Sequence, residues 1–198
     1  MTVALRNLLS SVLANRLLLR CWRHSLACAL LCRDMADAHW LDQDRYYTAG
    51  LLHEMGRLLL LATYPQDYAA LIETVDADQG ACGDLLKCER ESFGADHCEI
   101  GHCLAQDWQF DAELREAIGA QCEPLKAGRV SLRTAVRLAC RTADTLGFQA
   151  AGPAPSVRWE ELQLDFARCG WDRMKPEHEL LPAVAAKINA IECSLSPL

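Results

Sequence analysis

Apolar residues recur along the chain at the three- and four-residue spacing of an α-helix, and no segment alternates as a β-strand would. In one stretch, Cys21, Cys28 and Cys32 fall at positions i, i+7 and i+11, which lie on one helical face. The pattern predicts an all-α protein with helices over residues 3–18, 21–35, 45–55, 58–62, 65–75, 85–93, 97–108, 112–122, 132–146, 159–171 and 176–191.

Several residues are of the types that begin or end helices. Asp96, Asp111 and Ser131 each precede a helical segment, where a short polar side chain can cap the free backbone N–H groups. Gly56 is expected to end the helix over 45–55, because glycine tolerates the left-handed conformation that closes a helix. Glycines and aspartates predict a loop over residues 78–84.

The chain is expected to have two parts. The segment QAAGPAPS, residues 149–156, has the composition of a linker. It separates a helical core over residues 1–148 from a small helical extension, so that 149–198 comprise linker and extension.

Composition narrows the classes of partner. About half of the 198 residues are apolar and 24% are charged, which is typical of a soluble globular protein. The net charge of −7 argues against nucleic-acid binding through phosphates. Arg129, Arg133, Arg137 and Arg141 are spaced as a helical stripe, which we interpret as a solvated face. No apolar run is long enough to cross a bilayer, and the N-terminal segment resembles an amphipathic helix more than a signal peptide, so no membrane partner is expected.

The eleven cysteines do not have the spacing of a disulfide framework, and their number is odd. Those on the face of the helix over 21–35 suit the buried role that free cysteine plays as a small hydrophobe. We therefore expect a reduced, cytoplasmic protein.

A histidine and a carboxylate, His53 and Glu54, stand side by side in the apolar segment AGLLHEMGRLLLL, residues 49–61. With this segment, two others resemble the HDOD family, a signalling-associated branch of the HD phosphohydrolase superfamily. The matching segments are WRHSLACALL at 22–31, YTAGLLHEMGRLLLLATYPQDYAAL at 47–71 and ERESFGADHCEIGHCLAQDW at 89–108, followed by AI at 117–118 and ADTL at 143–146.

The resemblance implies an HD-type helical bundle. Members of the family usually carry several helices before the segment that begins at Trp22, whereas here only about twenty residues precede it. A member shortened at its N-terminus would expose an apolar face, which favours a homodimer.

The resemblance also implies a metal site. HD enzymes hold a divalent metal with a histidine, a His-Asp pair and a later aspartate, which correspond here to His24, to His53 with Glu54, and to Asp144. His97 matches a further histidine of two-metal members and is a peripheral candidate. Imidazole and carboxylate ligands suit metals that activate a bound water.

Two departures weaken the enzymatic interpretation. Glu54 replaces the aspartate, so its carboxylate lies one methylene farther from the backbone, and Gln121-Cys122 stands where many relatives carry a His-His pair. Three states of the cluster are open: a catalytic metal, a bound but non-catalytic metal, and a metal-free group of hydrogen-bonded side chains. The metal-free state is favoured, so no cofactor is expected, with a divalent metal as the alternative, and no residue is assigned as catalytic.

A second group of candidate ligands comprises Cys98, His102 and Cys103, with Cys88 and His97 nearby. Cys98 and His102 are one helical turn apart and could share a zinc ion. A core cysteine beside a surface histidine is the simpler interpretation. Similarly, Glu89, Arg90 and Glu91 are expected to form a solvated face, and Tyr68 to pack inward.

The leading hypothesis is a non-catalytic regulatory or interaction module in bacterial signal transduction, acting through a protein partner or a small nucleotide ligand. The resemblance supplies this role. The competing hypothesis is an active single-metal phosphohydrolase that acts on a nucleotide or phosphodiester, with His24, His53, Glu54 and Asp144 as ligands. A structural zinc protein that uses the region between Cys88 and Cys103 is the third.

Overall fold

A computed structural model describes residues 16–77, 85–125, 127–128, 130–151 and 157–195. These residues form an all-α fold without strands, as predicted. The helices are α1 (Arg16–Ala38), α2 (Gln43–Leu52), α3 (Met55–Thr63), α4 (Pro65–Ala77), α5 (Leu85–Phe93), α6 (His97–Asp107), α7 (Ala112–Gly119), α8 (Leu132–Thr145), α9 (Trp159–Arg168) and α10 (Glu177–Leu195). The predicted loop over 78–84 and most of the predicted helix over 3–18 and linker over 149–156 lie outside the described residues.

Helix α1 is the centre of the bundle and packs mainly against α2 and α8. Buried residues cover a broad face of this helix. The small residues Ala27, Cys28 and Ala29 are fully buried, as is the larger Leu31. Small side chains let neighbouring helices approach closely. A Cβ on Gly50 of α2 would lie 2.7 Å from the Ala29 Cα.

Three predicted N-caps are confirmed, and one predicted helix end is wrong. Asp96 and Ser131 form capping boxes, and the Asp111 side chain accepts from the Glu113 and Leu114 amides. Gly56, however, lies inside α3, since α2 ends at Leu52 and a turn at His53 and Glu54 precedes Met55. Gly56 lies where α3 meets α6, and a Cβ there would be 2.0 Å from the His97 carbonyl oxygen.

Gly56→Ala is expected to lower the free energy of unfolding by about 1–3 kcal/mol, because the added methyl overlaps backbone that cannot rotate away. Alanine has the higher helix propensity, by about 1 kcal/mol, so the overlap must outweigh this gain. Gly128→Ala is the control, because a Cβ at Gly128 would meet nothing within 4 Å. Urea unfolding of both variants checks the prediction, and equal midpoints would contradict it.

The C-terminal helices α9 and α10 pack on the same core as α1. Residues of this segment belong to the main cluster of buried side chains, including Leu162, Phe166, Trp171, Leu180, Val184 and Ile188. The division into a core over 1–148 and an extension over 149–198 stays a prediction, although the two parts share one apolar interior.

The arginine stripe on α8 is not the solvated face that we predicted. Arg133, Arg137 and Arg141 are half-buried. Arg133 pairs with Glu116 and Glu123, and Arg141 pairs with Asp165 of α9. Arg129 lies outside the described residues. The stripe therefore joins α8 to α7, to the segment that follows α7, and to α9 through ion pairs.

Most of the described cysteines are free, and Cys21, Cys28 and Cys32 are buried on α1 as expected. Cys88 is instead disulfide-bonded, so the expectation of a fully reduced chain is wrong at this position. Among the described helices, none combines the length and hydrophobicity that a membrane span needs.

Candidate metal centre

The side chains predicted from the resemblance meet around His24. His24 comes from α1, His53 and Glu54 come from the turn between α2 and α3, and Asp144 lies near the end of α8. The Glu54 Oε1 atom is 3.9 Å from His24 Nε2 and 3.6 Å from His53 Nε2, and Asp144 Oδ1 is 3.4 Å from His24 Nδ1. The two imidazole rings are 5.2 Å apart between centroids.

Backbone carbonyls orient both imidazoles. His24 Nδ1 donates to the Phe148 carbonyl and His53 Nδ1 donates to the Gly50 carbonyl, each at 2.7 Å. A carbonyl can only accept, so each Nδ1 carries the proton and each Nε2 offers a lone pair in the neutral ring. His53 is fully buried, and its Nε2 has no hydrogen-bond partner.

Asp144 approaches His24 from the Nδ1 edge of the ring, next to the bond to Phe148. Its carboxylate is half-buried, with an exposed fraction of 33%. Burial raises the pKa of Asp144 to about 6, although the facing imidazole of His24 opposes this shift. Asp144 is therefore close to the predicted set, but on the edge of His24 that already donates to Phe148.

Two cysteines that the sequence prediction missed line the same cluster. The donor atoms of His24, Cys28, His53 and Cys140 all lie within 4.8 Å of one another, and all four residues are buried. Cys28 follows His24 by one turn of α1, with its Sγ 3.5 Å from His24 Nε2. The spacing of His24 and Cys28 was visible in the sequence, but nothing local indicated that Cys140 of α8 would join them.

Glu54 is held by a buried arginine. Oε2 of Glu54 accepts from Nε of Arg57, and both side chains are about 5% exposed. Burial alone would raise the pKa of Glu54, but the Arg57 guanidinium and the neighbouring histidines hold it well below its usual range. The carboxylate is therefore charged and already paired with a cation.

Arg57 also joins Glu54 to a second set of buried groups. It donates to the Tyr68 hydroxyl at 3.1 Å and to His97 Nε2 at 3.0 Å. Glu89 accepts from Tyr68 at 2.5 Å and from His97 Nδ1 at 2.6 Å. We call Glu54, Arg57, Tyr68, Glu89 and His97 the arginine network.

The arginine network corrects one prediction and confirms another. Glu89 is fully buried, so it does not belong to a solvated face with Arg90 and Glu91. Tyr68 packs inward as expected. At His97, the guanidinium occupies the lone pair of Nε2, and a fixed positive charge at this distance opposes a divalent cation on that nitrogen. His97 is thus placed to order Arg57.

The second group of candidate ligands does not assemble as a zinc site around Cys98 and His102. Cys98 is buried, whereas His102 and Cys103 are exposed, which confirms the interpretation as a core cysteine beside a surface histidine. Cys98 instead lies near His97 and Cys122. Gln121 is buried and donates to the His53 carbonyl at 2.9 Å, so it supports the turn that carries His53.

Comparisons with known proteins agree with this architecture. The HDOD domain family matches residues 1–124. A candidate phosphohydrolase from Shewanella amazonensis SB2B is 26% identical, with a TM-score of 0.59 over 83% of this chain and 58% of that one. The MmoQ response regulator from Methylococcus capsulatus is 26% identical, with a TM-score of 0.63 over 82% of this chain and 60% of that one.

An HDOD domain protein from Geobacter sulfurreducens shares the fold, with 19% identity and a TM-score of 0.60 over 88% of this chain and 59% of that one. This chain thus spans about three fifths of the length of each of these proteins. No curated protein matches the sequence. The family match includes His24, His53, Glu54 and His97, whereas Asp144 lies beyond it. Since the match covers more than half of the residues, the chain belongs to the HDOD domain family.

Proposed function

We propose that this chain is a non-catalytic module of bacterial signal transduction that works through protein contacts or a small nucleotide ligand. The observation that carries the proposal is the buried pairing of Glu54 with Arg57. In a hydrolytic HD site the carboxylate beside the histidine would coordinate the metal. Here it neutralises a guanidinium.

The rest of the site supports the same proposal. A metal-activated water needs an open coordination position and ligands that hold the ion in place. Glu54 is committed to Arg57, Asp144 faces the Nδ1 edge of His24, and His97 accepts from Arg57. A second metal on His97 would have to displace the Arg57 guanidinium, and both side chains are buried, so separating this charge from its partners is costly.

The comparisons supply the signalling context without deciding the chemistry. The chain is equally identical to a response regulator and to a candidate phosphohydrolase. The side chains of the candidate centre therefore carry the argument for a non-catalytic role, and membership of the HDOD family carries the argument for signalling.

The purified protein is expected to hydrolyse neither phosphomonoesters nor phosphodiesters, including cyclic dinucleotides, with manganese, magnesium or iron(II) supplied. The comparison is between the unmodified protein, His53→Ala and His178→Ala, because His178 is exposed and faces Glu179, whereas the cluster is buried. All three should give the same background rate. A rate that His53→Ala removes and His178→Ala keeps would establish the competing single-metal phosphohydrolase.

A further inference from the structure

We propose that His24, Cys28, His53 and Cys140 bind one zinc ion, with both imidazole Nε2 atoms and both Sγ atoms as ligands. This donor set differs from the histidine and carboxylate set that the family implies, because the two thiols replace Glu54 and Asp144. The proposal does not depend on the proposed function, although a closed zinc site would be compatible with it.

The imidazoles have the orientation of metal ligands. In zinc sites the nitrogen that does not bind the metal usually donates to a carbonyl or carboxylate, which fixes the ring and its tautomer. His24 and His53 both do this, through Phe148 and Gly50. The two remaining nitrogens face the same small volume.

His53 Nε2 supplies an independent observation. A buried lone pair without a hydrogen-bond donor is unfavourable, and such atoms are uncommon in folded proteins. His53 has no exposed surface, and its Nε2 makes no hydrogen bond among the described residues, with Glu54 Oε1 3.6 Å away. A bound cation would satisfy this atom directly.

The thiols complete a tetrahedral set. Zinc holds sulfur at about 2.3 Å and nitrogen at about 2.0–2.1 Å, so the ligands of a tetrahedral ion lie roughly 3.3–3.8 Å apart. Cys28 Sγ is 3.5 Å from His24 Nε2, and the longest separation in the set of four is within 4.8 Å. Small side-chain rotations would bring the set to zinc geometry, since α1 and α8 already pack together.

The charges favour zinc over magnesium or manganese. On binding, each thiol releases its proton to solvent, and the two thiolates neutralise the divalent ion. The buried site then carries no net charge, while Glu54 remains paired with Arg57. Thiolate and imidazole ligands select zinc, whereas the harder cations prefer oxygen. Four protein ligands leave no position for a water, so the ion would be structural.

The other cysteine cluster, His97 with Cys98 and Cys122, is a weaker candidate. It offers only three donors, and His97 Nε2 already accepts from the Arg57 guanidinium. It provides a built-in control, because a zinc ion located there would depend on Cys122.

The test is metal analysis of protein that has been incubated with zinc and desalted. The unmodified chain should retain about one zinc per chain, as expected for a closed site with four protein ligands. Cys28→Ala should lose the metal. Cys21→Ala, the same change at another fully buried position of α1, and Cys122→Ala should keep it. Cobalt substitution should give a thiolate-to-metal charge-transfer band in the near ultraviolet.

Three results would overturn the proposal: no retained zinc in the unmodified chain, equal zinc in Cys28→Ala, or loss of zinc only in Cys122→Ala. If Cys28→Ala does not fold, the cobalt spectrum of the unmodified chain decides, since cobalt bound by oxygen and imidazole alone would lack the charge-transfer band. The two proposals fail separately. Absence of zinc without hydrolysis removes only this inference, and hydrolysis removes the non-catalytic function.

Discussion

Arg57→Met is expected to lower the free energy of unfolding by about 3–5 kcal/mol, the range for removing one partner of a buried ion pair. Methionine is similar to arginine in length and fills most of the space, so the loss comes from the charge and the hydrogen bonds. Glu54 would be left as a buried carboxylate without a cation, and a group of that kind is costly in a protein interior.

The effect should exceed that of a single lost contact, because Arg57 donates to three partners. Glu54 Oε2, the Tyr68 hydroxyl and His97 Nε2 all accept from it. Each would lose a donor, and all three side chains are buried. Leaving a buried acceptor unsatisfied costs about 1–3 kcal/mol, so these losses add to that of the ion pair only in part.

Denaturant unfolding of Arg57→Met and Arg45→Met provides the comparison. Arg45 also contacts two carboxylates, those of Asp111 and Glu113, but these ion pairs lie at the surface. Its removal should cost no more than about 1 kcal/mol. The double variant Glu54→Gln/Arg57→Met should recover part of the loss, since the side chain at position 54 then carries no charge that needs a cation. Equal losses for the two arginine variants would contradict the description of a buried network.

Trp171→Ala is expected to lower the free energy of unfolding by about 3–5 kcal/mol, as is typical for truncating a large buried aromatic residue. Trp171 has no exposed surface and its ring contacts His39 and Tyr46 edge to face. Its indole N–H donates to Thr134 Oγ1 at 3.0 Å, at the start of α8. The residue therefore joins the C-terminal segment to the core formed by α1, α2 and α8.

Trp40→Ala is the matched control, because Trp40 is 84% exposed and its ring contacts mainly the Arg173 guanidinium, 4.7 Å from the centroid. An exposed cation–π pair is worth about 1 kcal/mol at most. Urea unfolding should show one cooperative transition in both variants. A loss below about 1 kcal/mol for Trp171→Ala would mean that the C-terminal segment unfolds apart from the core.

Most helices, and the N-caps at three of them, could be predicted from the sequence alone. The caps at Asp96, Asp111 and Ser131 depend on hydrogen bonds within a few residues, so local residue types are sufficient. Gly56 shows the limit of this reasoning. A glycine at a helix end and a glycine at a helix crossing look alike in a sequence, and only the His97 carbonyl on the opposite helix distinguishes them.

The candidate site was predicted in part. The resemblance to a known family pointed to His24, His53, Glu54 and Asp144, and these side chains do lie together. The burial of Arg57 and Glu89 could not be predicted from the sequence, because charged residues in a helical pattern usually face solvent. Their burial depends on partners that come from three different helices.

The sequence by itself determined the helical class, the positions of most helices and the segment where a histidine and a carboxylate enter the core. These features depend on periodicity and on contacts between near neighbours in the chain. The tertiary structure decided which charges are paired and which donors converge. Glu54 and Arg57 are only three residues apart, but both are buried because other helices cover them. Cys140 reaches His53 and His24 because helix packing brings together residues that are distant in the chain.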